Sequence, residues 1–174
     1  MKRLDTGFLV QGAVIAAIYV ALTVLFAPIS FGPIQFRVSE ALCVLPYFTL
    51  AAVPGVSAGC LLGNILGGAP LPDILFGSLA TLLGALLSYR LRSVSRWLVC
   101  VPPILTNALI IPLVLRYAYG VPDMLPYLAL TVGIGELLAV AGLGNLLLLA
   151  LLPNRTQIFG KADASADRPR VFPR

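Results

Sequence analysis

Long stretches of this chain carry no charge at all. Residues 8–36 are uncharged, and so are residues 41–72. A helix that crosses a membrane needs about 20 mainly apolar residues, because the hydrocarbon core is about 30 Å thick and each helical residue rises about 1.5 Å. Charged residues make up 11% of the 174, against about 25% in ordinary soluble domains. One soluble core of this size cannot hide so much apolar surface, whereas a helix in lipid is free to be apolar all round. The expected fold class is an all-α integral membrane protein.

Charges and turn signals divide the chain into six transmembrane helices. The first covers roughly residues 9–27 and ends near Pro28, where a Pro/Gly-broken stretch, 28–36, begins. Pro54-Gly55 splits the second uncharged run into a helix over about 38–53 and another reaching about Gly67, both short for full spans. Asp73 opens a fourth apolar segment that ends near Tyr89. Residues 97–115 form a fifth, with Pro102-Pro103 near its inner end, and 125–152 form a sixth. Residues 1–152 are thus expected to be one membrane domain. From 153 to 174 the chain turns polar and loses apolar periodicity, the mark of a disordered cytoplasmic tail. Lys2 and Arg3 precede a run of full span length with no clear small-residue cleavage site, so the first helix reads as a mature span and not a signal peptide.

Lys and Arg concentrate on the cytoplasmic side of membrane proteins. With the N-terminus inside, Lys2, Arg3, Arg90, Arg92, Arg96, Arg155, Lys161, Arg168, Arg170 and Arg174 fall inside, and Arg37 and Arg116 outside. Both termini are therefore expected in the cytoplasm. The net charge of +5 follows from this topology and calls for no nucleic-acid partner.

Composition removes several chemistries. Histidine is absent, and Cys43, Cys60 and Cys100 lie far apart without a C-x-x-C spacing, so neither zinc nor a disulfide is supported. No P-loop sequence occurs, and the two lysines, Lys2 and Lys161, sit in the terminal segments. The chain reads as a non-enzyme with no cofactor and no metal.

A charged side chain costs roughly 2.5–3.5 kcal/mol at the centre of a span, so those that persist there usually face a cavity or a partner. On the expected topology Arg37 and Glu40 open helix two, Asn64 lies in the outer part of helix three, and Asp73 opens helix four. Asn107 is near the middle of helix five, and Glu136 is a third of the way down helix six. Helices of opposite direction thus place polar groups at similar depth, as a cavity open to the outside requires. Each has a plainer reading. Glu136 either faces a ligand or is an internally bonded carboxyl. Glu40 either faces a ligand or complements a helix N-terminus capped by Ser39, with Arg37 as its local partner. Asp73 either caps helix four or reaches the ligand, and Asn64 and Asn107 either bind or join helices. Asn145, on the inner side, reads as packing. Phe31, Phe36 and Tyr47 either stack on a planar ring or fill space.

Small residues recur every fourth position at Gly55, Gly59, Gly63 and Gly67, at Ala80, Gly84 and Ser88, and at Ala13, Ala17 and Ala21. Such faces let helices approach closely. The last of them either packs inside the bundle or docks another membrane subunit.

The segment from Phe31 to Leu42, FGPIQFRVSEAL, resembles the signature of QueT-type proteins, the queuosine-precursor substrate-binding (S) components of energy-coupling factor (ECF) transporters. The resemblance extends through Gly63-Asn64, Gly67-Gly68, the stretch from Asp73 to Thr81, Asn107 and Gly135-Glu136, covering residues 8–152. It implies a six-helix S component in a prokaryotic plasma membrane that captures a 7-deazaguanine-type precursor from outside for ATP-driven uptake. Its partners would be a membrane-embedded coupling subunit and two ATPases, and the S component would topple in the bilayer to release its load. Docking would use Ala13, Ala17 and Ala21, and the stretch 28–36 would be a gate. Glu40, Asn64, Asn107 and Glu136 would contact the ligand, with Arg37 and Asp73 in support. Carboxylates and amides suit such a ligand, since they can meet a guanine-like edge or an aminomethyl ammonium.

Three other classes compete. A stand-alone proton-coupled carrier would use Glu40 or Glu136, but the chain shows no internal repeat. An intramembrane enzyme would need a histidine, a paired acidic metal motif or a serine-lysine pair at membrane depth, and none is present. A structural protein would bind no small molecule tightly.

Overall fold

The computed structural model describes residues 6–30 and 36–160, and among them every regular element is helical. Helix α1 (Thr6–Leu25) is followed by a single turn, α2 (Ala27–Ser30), with Pro28 in its first turn. A 3-10 helix (Val38–Tyr47) leads to α3 (Ala52–Leu66) and α4 (Leu71–Leu91). A short 3-10 turn (Trp97–Cys100) runs into α5 (Val101–Tyr117), whose Pro102 and Pro103 occupy the first turn, where no intrahelical N–H is needed. The last rod starts as α6 (Leu125–Glu136) and widens into a π-helix (Leu137–Gly144). It continues as α7 (Asn145–Leu151) and ends in a 3-10 turn (Leu152–Asn154) and α8 (Arg155–Phe159).

Four of these are long and apolar enough to cross a membrane: Thr6–Leu25, Leu71–Leu91, Trp97–Tyr117 and Leu125–Phe159. The two remaining expected spans are shorter. As a 3-10 helix, Val38–Tyr47 covers about 20 Å, and the 15 residues of α3 cover about 22 Å, less than the hydrocarbon thickness of about 30 Å. The expected α-helix over 38–53 is thus replaced by a 3-10 helix that ends at Tyr47. The break falls at residues 48–51 instead of at Pro54-Gly55, because Pro54 sits in the first turn of α3 and interrupts nothing there. The sixth helix also runs past the expected boundary at 152. Its end is held inward by Phe159, whose ring stacks on Phe48 at 4.9 Å. Of the expected tail, residues 161–174 lie outside the described residues. So do Lys2 and Arg3, and residues 31–35 of the expected gate.

The 3-10 helix is the axis of the fold. Every residue from Ser39 to Tyr47 is buried, enclosed by α1, α3, α4, α7 and the π-helix. Close approach depends on small residues. A β-carbon on Gly144 would lie 2.7 Å from Val44, one on Gly59 would lie 2.6 Å from Tyr19 Cβ, and one on Gly84 would lie 2.8 Å from the Pro103 backbone. The outer faces of α1, α4, α5 and α6 carry Val14, Leu75, Leu79, Leu109, Leu113 and Leu130 in the open, the inverse of a soluble surface and the surface that lipid requires.

Candidate functional site

Where α1 and α3 end and α4 begins, polar side chains gather inside the bundle. Arg37, Glu40, Asn64, Asp73, Asn107 and Glu136 are each at most 5% exposed. Polar groups buried this deeply are stable only with partners, so their contacts define the site.

Arg37, just ahead of the 3-10 helix, donates from Nη2 to Asp73 Oδ2 at 3.1 Å. Asp73 lies in the first turn of α4, where the positive end of the helix favours an acid. It is not the cap. Pro70 holds that position without a side-chain acceptor, and the Asp73 carboxylate reaches across the fold. The same Oδ2 accepts from Tyr119 Oη at 2.8 Å, and Asn64 Nδ2 donates to the Asp73 backbone carbonyl at 3.2 Å, tying α3 to α4. Tyr119 stands in the connection after α5. Burial and the adjacent Asp73 carboxylate raise its pKa above the usual phenol value.

Glu40 accepts from the Tyr19 hydroxyl of α1 through Oε1 and from the Cys43 thiol through Oε2, the latter at 2.9 Å. Ser39 does not cap the 3-10 helix. The Ser39 hydroxyl lies 2.8 Å from Thr23 Oγ1 of α1, and Arg37 occupies the cap position. Tyr19 and Thr81 also reach the Cys60 thiol, and Asn64 Nδ2 lies 3.8 Å from the same sulfur. A chain of contacts thus runs from Glu40 through Tyr19, Cys60 and Asn64 to Asp73 and Arg37.

Glu136 ends α6 where the helix widens to the π form, a local geometry that recurs at functional sites. Asn107 of α5 is a hydrogen-bond partner of its carboxyl, and the charge of Glu40 acts on it through space. Glu136 Oε2 and Asp73 Oδ1 are buried without a hydrogen-bond partner among the described residues. The structure therefore brings all six expected residues into one buried cluster.

Other expected positions fall elsewhere. Ala13, Ala17 and Ala21 lie on the open face of α1, while Ile15, Tyr19 and Thr23 face inward. Gly55, Gly59 and Gly63 take the close approach of α1. Tyr47 packs edge-on against Phe48, and Asn145 donates to the Ala141 carbonyl at 2.8 Å, so both act in packing. Phe36 is partly buried, and Phe31 lies outside the described residues.

Sequence reasoning missed Tyr19, Thr23 and Tyr119. A phenol in the middle of an uncharged span must find an acceptor once buried, and that signal was present at Tyr19, repeated one turn later at Thr23. Tyr119 offers no such signal, since its partner is 46 residues away.

Together, the lipid-compatible exterior and the buried polar cluster define a polytopic membrane protein with a polar site inside its helices. The QueT transporter family model matches residues 9–153, and the chain belongs to that family. It is 39% identical over 103 residues to the queuosine precursor transporter QueT of Lactococcus lactis subsp. cremoris, an alignment spanning 56% of this chain and 60% of that relative. No solved structure matches the chain.

Proposed function

We propose that this chain captures a queuosine precursor of the 7-deazaguanine type from outside the cell and is the S component of an ECF importer. The observation that carries the reading is the cluster of Arg37, Glu40, Asn64, Asp73, Asn107 and Glu136, buried within an otherwise apolar chain of this family. Carboxylates and amides can accept from the amino and N–H edge of a guanine-like base, and asparagine can also donate to its carbonyl. Glu40, Asn64, Asn107 and Glu136 would touch the ligand, and Arg37 and Asp73 would hold the frame around them.

Orientation follows the same logic. Arg90, Arg92 and Arg96 sit with Tyr89 and Trp97 at the opposite end of α4, with the Arg92 guanidinium 3.9 Å from the Tyr89 ring centre, an interfacial arrangement on the basic side. With that side cytoplasmic, the cluster lies in the outer half, the chain crosses six times, and both termini are inside. The short 3-10 helix and α3 would complete the six crossings. The open Ala13, Ala17 and Ala21 face would meet the coupling subunit, which works with two ATPases.

Calorimetric titration of the purified chain in detergent with queuine, queuosine and the 7-deazaguanine precursors tests the reading, with guanine and riboflavin as controls. Saturable submicromolar binding of one queuosine-related compound, abolished by Glu136→Ala, is the expected result. If folded protein binds none of them, the proposal fails. Uptake that proceeds without ATPase subunits would instead establish a proton-coupled carrier, with Glu136, whose Oε2 has no partner among the described residues, as the proton site.

A further inference from the structure

The buried cluster is unbalanced in charge. It holds three carboxyls, on Glu40, Asp73 and Glu136, and one guanidinium, on Arg37. The guanidinium is bonded to Asp73. Glu40 is met by the hydroxyl of Tyr19 and the thiol of Cys43, and Glu136 by the amide of Asn107, all of them neutral donors. Arg37 also acts on Glu136 through space. Two acids are thus set against each other in a setting that screens charge poorly, and like charges there repel. Independently of this, Glu136 Oε2 is buried with no donor among the described residues, a state that is costly for an acceptor of this kind.

One chemical group answers both features: a compact cation with several N–H donors. An ammonium provides three donors and a full positive charge, and its hydrogen bonds to a carboxylate are of the stronger, charge-assisted kind. We propose that the substrate is bound as a cation, with its protonated amine seated between Glu40 and Glu136 and donating to Glu136 Oε2. The inference rests on the reading of this cluster as a queuosine-precursor site. Within that class it selects the form that carries an aminomethyl arm over forms whose arm is uncharged.

The test is calorimetric titration of the purified full chain in detergent at neutral pH with 7-aminomethyl-7-deazaguanine and with the neutral analogue bearing a nitrile in place of the aminomethyl group. The amine is expected to bind tighter by about tenfold or more, the size of a charge-assisted hydrogen bond. Glu136→Gln should reduce amine affinity by a similar factor and nitrile affinity by distinctly less, so that the preference for the amine shrinks toward parity. If Glu136→Gln does not fold, judged by its thermal transition, Glu40→Gln serves in its place with the same expectation. Equal or tighter binding of the nitrile by the unmodified chain overturns the cationic reading and leaves the queuosine-precursor reading standing. A preference for the amine that survives the substitution overturns the seat between the two glutamates. Failure of folded protein to bind either compound overturns the cationic reading, and failure to bind queuine and queuosine as well overturns the queuosine-precursor reading.

Discussion

Gly59 and Tyr19 are in contact so close that a β-carbon on the glycine would lie 2.6 Å from the β-carbon of the tyrosine. Tyr19 is also the donor to Glu40, so the smallness of one residue on α3 sets where a hydroxyl on α1 meets a carboxyl on the 3-10 helix. Gly59→Ala should push α1 away from α3, at a cost of about 1 to 3 kcal/mol, the usual price of overpacking. A lowered thermal transition in detergent, together with weaker ligand binding, is expected. A variant with unchanged stability and affinity would show that α1 and α3 can separate without disturbing the site.

Arg37 and Asp73 make a buried ion pair, and removing one partner leaves the other charged and alone. Arg37→Gln or Asp73→Asn should each destabilise the fold by about 3 to 5 kcal/mol, whereas the double substitution should cost much less than the sum. Denaturation of the four proteins in the same detergent measures the coupling. Strict additivity would mean that the pair contributes nothing beyond its separate members.

Tyr119 holds the connection between α5 and α6 to Asp73, and it is 37% exposed. Its pKa in the folded chain is raised, so the folded state keeps a phenolic proton that the unfolded chain releases from about pH 10 upward. Its contribution to stability is therefore constant below about pH 10 and is lost as pH rises beyond that. Tyr119→Phe should flatten the alkaline part of the stability profile. An unaltered alkaline decline would assign that decline to other groups.

The face of α1 formed by Ala13, Ala17 and Ala21 is open. Ala17→Leu should leave ligand affinity of the isolated chain within about twofold, since surface changes away from a site cost little. On the proposed docking of this face to an ECF coupling subunit, copurification with that subunit, and uptake in cells, should both fall. Loss of binding by the isolated chain would place this face in the architecture of the site instead.

Much of the fold was legible because charge is costly in lipid: the gaps between charges located the four long helices. The 3-10 helix escaped because it is buried on all sides and so has no polar face to give it a period, and because Pro54 looks like a breaker when its place in the first turn of α3 is unknown. The six polar residues of the cluster could be named for the same reason of cost. Their partners could not. Sequence proximity paired Arg37 with Glu40, yet its ion pair joins it to Asp73, 36 residues on, a relation that exists only once α4 is packed in place. The hydroxyls of Tyr19 and Tyr119 find their acceptors 21 and 46 residues away, so nothing near either in sequence points to the pairing.

From Ser39 to Tyr47 the 3-10 helix is sheathed by its neighbours. Its side chains therefore meet protein on every side, and oil solubility places no demand on their composition. A segment enclosed by other helices is free to carry a hydroxyl, an acid and a thiol within five residues, at Ser39, Glu40 and Cys43. The surrounding helices bear the task of being greasy, and this inner one is left to be chemical.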